Sequence, residues 1–304
     1  MDLYKCEVLL KAVDAGSFTK AAEELGYTPS GITHMMNAFE EELGFPLLHR
    51  SRSGVALTEG GRFILPMLRE LISKKELIVQ AAADFCGLSV GCVKIGTFPS
   101  VSRLLLPQIV SAFGRDYPNI TLELFEGGQE ETDAWIAERK VDLAFTSRQP
   151  NKTCDWIPLM QDEMLAIVPM EHRLTGKKEI AVSELGDDPF LMLGADYEQD
   201  VARLIKNAKY SPNIRLYSQD ELTVIAMVHE ALGVSIIPGM HLLGPHKEVE
   251  SLSLAPKVYR QLGIAVPSMN ELSPAARKLI ECVQVMLGSD PKEAATHLIM
   301  SSRQ

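Results

Sequence analysis

Four hydrogen-bonding side chains, Ser30, Thr33, His34 and Asn37, recur at helical spacing in the stretch GYTPSGITHMMNAFEEELG, Gly26 to Gly44. Hydroxyl, imidazole and carboxamide groups in one row can exchange hydrogen bonds with nucleic-acid base edges and phosphate oxygens. Between Tyr27 and Glu40 there is no lysine or arginine. Phosphate neutralisation supplies most of the non-specific affinity for DNA, so such a row needs cations from elsewhere. Lys20 on one side and Arg50 and Arg52 on the other are placed to bracket it. A solvated polar face on an ordinary core helix would show the same spacing.

The flanking sequence sets the helices that would hold this row. Leu3, Cys6, Leu9, Leu10 and Val13 form one apolar stripe and predict a first helix, ended at Ala15-Gly16. Ser17 can cap a second helix, Phe18 to Leu25, which Gly26 stops in a left-handed turn. Thr28 precedes Pro29, a residue suited to the first helical position, so a third helix runs from Pro29 to Leu43 and closes at Gly44. Ile32, Met35, Met36, Phe39 and Leu43 form its inward stripe, and Glu40 to Glu42 lie toward its far end. Helices joined by a tight glycine turn make a helix-turn-helix. The following FPLLHRSRSGVALTEGG reads as a β-hairpin wing, with Arg50 and Arg52 flanking a Ser-rich turn.

The stretch SFTKAAEELGYTPSGITHMMNAFEEELGFPLLHRSRSGVALTEGG resembles the winged helix-turn-helix of LysR-type transcriptional regulators, matching at Ser17, Phe18, Ala21, Ala22, Leu25, Glu40, Leu43, Gly44, Pro46, Leu47, Arg50, Leu57, Thr58 and Gly61. The resemblance implies DNA contacts from Ser17, Lys20, Thr28, Pro29, Ser30, Thr33, His34, Asn37, Arg50 and Arg52. The chain departs from the family pattern in lacking Arg or Lys near His34, Asn37 and Ala38, and in having Leu48 where Phe is common.

Thr58 next caps a long helix, about Glu59 to Leu88, in which Ile64, Leu68, Leu71, Lys75, Ile78, Ala82 and Phe85 step as a heptad seam. Such a seam packs either on its own chain or on a second copy. The resemblance to a linker helix implies dimerisation through Ile64, Leu68, Leu71 and Ile78. Beyond Gly91, strands such as CVKIGTF, ITLELFEG and VDLAFTS alternate with amphipathic helices, the pattern of βαβ units on a parallel sheet. A second similar set follows, and two strands, near Met164 to Val168 and Leu262 to Val266, are expected to cross between lobes.

The whole is therefore expected to be an α/β chain with an N-terminal winged helix-turn-helix, a long linker helix and a bilobed, periplasmic-binding-protein-like effector domain. The expected boundaries are 1–58 for the reader, 59–90 for the linker and 91–304 for the effector domain, with lobe I at about 91–161 and 267–289 and lobe II at about 162–266. Open α/β sheets bind ligands at the carboxyl ends of their strands. This expectation names Phe98, Ser100, Val101, Ser102, Gln129, Thr146 and Ser147 on one wall and Leu193 and Tyr197 on the other. Several of these hydroxyl residues precede helices, where simple capping is the competing reading. Arg103 and Arg148 favour a carboxylate ligand, whereas Asp196, Glu198 and Asp200 favour a cation or repel an anion.

Composition narrows the alternatives. The chain holds 30 Lys and Arg against 40 Asp and Glu, and residues 1–88 alone hold nine against twelve, a poor balance for indiscriminate DNA binding. The acidic start lacks the basic and apolar regions of a signal peptide, and no apolar run approaches the ~18 residues of a membrane helix. Five cysteines form no CxxC pair and seven histidines are scattered, so no metal site or cofactor is expected. No phosphate-binding loop, zincin motif or nucleophile elbow occurs, so an enzyme is not expected. The sequence thus predicts a cytoplasmic, effector-responsive homodimer or homotetramer on a double-stranded operator. The alternative is a small-molecule-binding protein with weak or no DNA function.

Overall fold

The helices start where capping side chains put them. In the computed structural model, which describes residues 2–51, 54–149, 154–194 and 199–288, Asp2 caps α1 (Leu3–Ala15), Ser17 caps α2 (Phe18–Leu25) and Thr28 caps α3 (Pro29–Leu43). Each cap accepts a backbone N–H that the first helical turn leaves unsatisfied. The wing is the antiparallel pair β1 (Leu48–Ser51) and β2 (Gly54–Leu57). Gly54 is required there. Its φ is +128°, and a Cβ would come within 2.5 Å of the Gly16 carbonyl, which accepts the Val55 N–H. Thr58 then caps α4 (Glu59–Phe85), which ends three residues short of the sequence-predicted Leu88.

The chain divides into two compact units, the first made of the chain up to Gly87 together with Glu138–Lys140, the second of the chain from Leu88 otherwise. In the first, α1, α3, the wing and α4 enclose a core that includes Leu9, Ile32, Met36, Phe39 and Leu47. The expected dimer seam needs correction here. Leu68 is 2% exposed and lies in this core beside Ile72, with Ile64 and Leu71 packed against it. The first half of α4 is thus a wall of its own domain, because the apolar stripe faces α1 and the wing. A heptad pattern does not say whose chain fills the seam. Ile78 is 69% exposed and Phe85 92%, and Phe63 and Met67 are exposed on the same helix.

The second unit begins with β3 (Gly91–Thr97), α5 (Pro99–Leu104), α6 (Leu106–Asp116), β4 (Ile120–Glu126), α7 (Gln129–Ala137) and β5 (Leu143–Ser147). β3 pairs in parallel with both β4 and β5, as right-handed βαβ units require. The 14-residue β6 (Asp155–Val168) runs onward into lobe II. There it meets β7 (Glu179–Ile180), β8 (Pro189–Leu193), α8 (Gln199–Asn207), β9 (Asn213–Ser218), α9 (Glu221–His229), β10 (Ser235–Pro238) and β11 (Glu250–Leu254). The chain returns through β12 (Tyr259–Val266) to α10 (Pro274–Leu287), which covers the lobe I sheet with α6.

Only one of the two expected crossing strands crosses. Asp155–Glu163 of β6 pair with β12, while the segment Met164–Val168 pairs with β10 and β11. β12 lies wholly against β5 and β6, so it belongs to lobe I. The second crossing is the short turn between Leu254 and Tyr259, and the lobe boundary moves there from residue 266. Each lobe has its own core, one around Phe113, Phe145 and Ile264, the other around Phe190, Ile236 and Leu252.

Leu68→Ala is expected to cost about 2–5 kcal/mol of stability in the N-terminal unit. Urea denaturation should give the same loss over a wide range of protein concentration, since the cavity is intramolecular. A loss that changed with dilution would return Leu68 to an intermolecular seam.

Candidate functional site

The outward face of α3 is sorted from its inward face. Ile32, Met36 and Phe39 are fully buried, whereas Ser30, His34 and Asn37 are exposed, as is Lys20 on α2. Three of the predicted contacts have local duties. Ser17 Oγ accepts the Lys20 N–H at 3.4 Å, Thr28 Oγ1 accepts the Gly31 N–H at 3.1 Å, and Thr33 Oγ1 donates to the Pro29 carbonyl at 2.9 Å. Pro29 opens the helix, exposed.

Arg50 is not the bare phosphate contact that its position suggests. Its guanidinium donates to Glu40 Oε2 at 2.8 Å and lies over the Phe18 ring, 5.2 Å from the centroid. Glu40 uses its other oxygen to accept the Leu47 and Leu48 N–H groups, at 2.7 and 2.9 Å. A carboxylate of the third helix therefore braces the entry to the wing. Sequence spacing assigns Glu40 no such role. Arg52 lies outside the described residues.

In the second unit, the predicted ligand contacts separate into two clusters. The first lies at the carboxyl end of β5. Gln129 Nε2 donates to Thr146 Oγ1 and, at 2.9 Å, to Asp133, while Gln129 Oε1 accepts the Ser147 N–H at 3.3 Å. Ser147 Oγ donates to Asp200 Oδ2 on α8 at 2.5 Å, and Asp200 is also paired with Arg203. A lobe I hydroxyl thus meets a lobe II carboxylate.

The second cluster surrounds Ser100. Its hydroxyl is buried and accepts from Arg260 Nη2 at 3.2 Å. Arg260 is itself buried, pairs with Asp162 Oδ2 at 2.8 Å and lies 5.2 Å over the Phe98 ring. Asp162 Oδ1 accepts the Met240 N–H at 3.0 Å. Nearby, Arg103 of α5 reaches Glu221 of α9 at 3.3 Å, and Glu221 stands 3.7 Å from His241 Nε2. Neither ring nitrogen of His241 has a hydrogen-bond partner, although the side chain is buried.

The remaining expectations are corrected or fall elsewhere. Val101 and Leu193 are core residues, packed among the apolar side chains of lobe I and lobe II respectively. A strand end or helix start places such residues beside a cleft without turning them into it. Ser102 Oγ donates to its own helix at Pro99, 3.2 Å away. Tyr197 lies outside the described residues. Arg103 is committed to Glu221 and so is no spare cation for a carboxylate ligand. Asp162, Arg260, Glu221 and His241 carry no sequence signal: Asp162 and Arg260 meet from 98 positions apart.

Burial governs the electrostatics of this cluster. It pushes the carboxyls of Asp162 and Glu221 up, opposed by Arg260 at Asp162 and by a backbone N–H and Arg103 at Glu221. It pushes the His241 imidazole well below its ordinary value, with Arg260 and Arg103 acting in the same direction. The cleft region is therefore a set of charge pairs around a neutral imidazole.

A winged reader joined to a two-lobed α/β domain with a polar interlobe seam defines a ligand-responsive DNA-binding protein. The comparisons agree. Residues 3–62 match the bacterial regulatory helix-turn-helix protein, lysR family, and residues 87–287 match the LysR substrate binding domain. An uncharacterised helix-turn-helix regulator of Bacillus subtilis, YvbU, is 32% identical over 95% of this chain and all of its own length. Among solved structures, a full-length single-site variant of OxyR from Pseudomonas aeruginosa superposes with a TM-score of 0.78 at 21% identity, covering 94% of this chain and 95% of that one. Full-length CbnR in complex with its target DNA gives 0.63 at 18% identity over 94% and 99%. The chain belongs to the LysR-type transcriptional regulators. It is a sequence-specific DNA-binding regulator with a small-molecule effector domain. The family consists of regulators of transcription, which are not enzymes.

The His241 shift sets a pH prediction. A depressed imidazole contributes stability above its unfolded value of about 6.5, lost as pH falls toward the folded value, with a slope of up to about 1.4 kcal/mol per pH unit. Glu221, raised by burial, contributes in the opposite sense: its share is present below the unfolded value and lost as pH rises. The two are separated by comparison with His241→Leu. The stability difference, wild type minus variant, is expected to rise with pH up to about 6.5 and then level off. Denaturation curves at stepped pH give the measurement, and a difference constant in pH would contradict it.

Proposed function

We propose that this regulator reads its operator with the exposed row Ser30, His34 and Asn37, while Lys20 and the wing hold phosphates. The observation that carries the reading is the sorting of α3, whose opposite face is fully buried in its own domain. A helix with one dry face and one hydrogen-bonding face, at the exposed side of a winged fold, is suited to the major groove. The protein is proposed to act as a homodimer or homotetramer in the cytoplasm, without catalytic activity. Among the described residues no helix is long and apolar enough to cross a membrane. Exposed Phe63, Met67, Ile78 and Phe85 on α4 support a dimer contact that differs from the row Ile64, Leu68 and Leu71.

The effector is proposed to bind at the carboxyl end of β5, against Gln129, Thr146 and Ser147, displacing the Ser147–Asp200 hydrogen bond. The Ser100 cluster then supports the wall behind it. Arg103, Arg203 and Arg260 each already face a carboxylate, so the cation adjoining this site is Arg148, exposed directly after Ser147, beside a larger set of hydrogen-bonding groups.

Asn37→Ala is expected to change which base pairs are preferred, by about 1–3 kcal/mol at the contacted position. Lys20→Ala is expected to weaken all sequences alike and to reduce the salt slope by about 0.9 per subunit. Selection from a random duplex library, followed by salt titration of the selected sites, measures both. If Lys20→Ala altered the selected sequence and Asn37→Ala did not, the assignment of faces would be reversed.

A further inference from the structure

The N-terminal unit is short of available cations. Lys5 is paired with Glu42, Lys11 with Glu24, Arg50 with Glu40, Arg69 with Asp14 and Lys75 with Glu7. Each pair is internal to the unit and cancels a charge that would otherwise attract DNA. Lys20 has no ion pair among the described residues.

Residues 1–87 contain two histidines, His34 and His49. Both are exposed, and they sit on α3 and on β1, the two elements that a winged helix-turn-helix lays against DNA. His34 falls between Ser30 and Asn37 in the outward row. His49 lies opposite Ala56 in the wing. Neither ring has an ion-pair partner among the described residues.

We infer that His34, within the reading row, and His49, on the wing, meet DNA as cations, each taking up a proton on binding. Histidine is the side chain whose charge responds to its surroundings in the physiological range. A nearby phosphate favours the protonated form, as any opposite charge within ~4–6 Å does. By linkage, a group that takes up a proton when DNA binds makes the affinity rise as pH falls. The inference rests on the reading that α3 and the wing face DNA, and it adds charge to a surface poor in unpaired cations.

The charged neighbours of both rings leave this effect standing. On α3 itself, Glu40 and Glu42 are engaged by Arg50 and Lys5, and Glu41 lies two turns from His34, about 10 Å along the axis. α2 brings Lys20, Glu23 and Glu24, the last held by Lys11. α1 brings Lys5, Glu7, Lys11 and Asp14, whose partners are Glu42, Lys75, Glu24 and Arg69. Around His49, the wing adds Arg50, and α4 adds Glu59 and Arg62. Arg62 donates to the Leu57 carbonyl. Glu23, Glu41 and Glu59 are the acids left without an ion pair among these described residues.

The test uses the full-length protein and a fluorescein-labelled duplex of mixed sequence, by anisotropy at constant ionic strength. Between pH 8 and pH 6 the dissociation constant of the wild type is expected to fall at least about tenfold, with a salt slope up to about 1.8 steeper per subunit, two contacts at ~0.9 each. The double variant His34→Gln, His49→Gln is expected to lose the pH dependence. The double variant His34→Lys, His49→Lys is expected to bind tightly at both pH values, which shows that a folded reader with fixed charges needs no proton. An unchanged wild-type constant across this range, or an equal pH slope in the glutamine variant, would overturn the inference. A wild type that bound no duplex at either pH would instead remove the docking reading beneath it.

Discussion

Arg260 and Asp162 stand on neighbouring strands with almost no access to water, 2.8 Å apart. Removing two charges from solvent costs several kcal/mol per ion, recovered only when geometry is good and the remaining polar atoms are satisfied. Here the remaining atoms are satisfied by Ser100 Oγ and by the Met240 N–H. The start of α5, the turn after β10 and both neighbouring strands are therefore committed to one arrangement. Loss of either partner would leave an unpaired buried charge. The effector domain can adjust around this pair far more readily than through it.

The same thrift with charge runs through the chain. In the effector domain, Arg103, Arg203 and Arg260 each answer a carboxylate. In the reader, five cations are spent on internal pairs, and Glu40 joins α3 to the wing through two backbone N–H groups and Arg50. A winged domain built in this way gains internal order and gives up long-range attraction for DNA. On the proposed reading, recognition would rest on short-range hydrogen bonds, and linked copies would multiply affinity where geometry allows.

How legible this is in the sequence depends on the range of the interaction. Thr28, Pro29 and Gly44 mark the ends of α3, and Ile32, Met36 and Phe39 mark its buried side, because caps and helical stripes are local. The alternation of strands and helices beyond Gly91 is equally local. The seam at Leu68 is misassigned from sequence because periodicity gives a face without naming its partner. Val101 and Leu193 are misplaced because a position at a strand or helix end does not fix which way a side chain points. Ser100 does belong with polar residues, but the arginine that holds it is 160 positions away. β12 falls in the other lobe from the one expected because its partner, β5, is set by topology alone.

β6 is a single strand of 14 residues, about 46 Å long, and strands of both lobes pair with it, β12 in lobe I and β10 and β11 in lobe II. An extended strand has almost no capacity to lengthen. The other covalent link between the lobes is the short turn from Leu254 to Tyr259. Two points of attachment define a line, and rotation about that line is the softest displacement left to the lobes. Translation and splaying would tear sheet hydrogen bonds. A ligand that drew the proposed walls together would act on the domain as a torsion about that line, and its effect would be read as an angle.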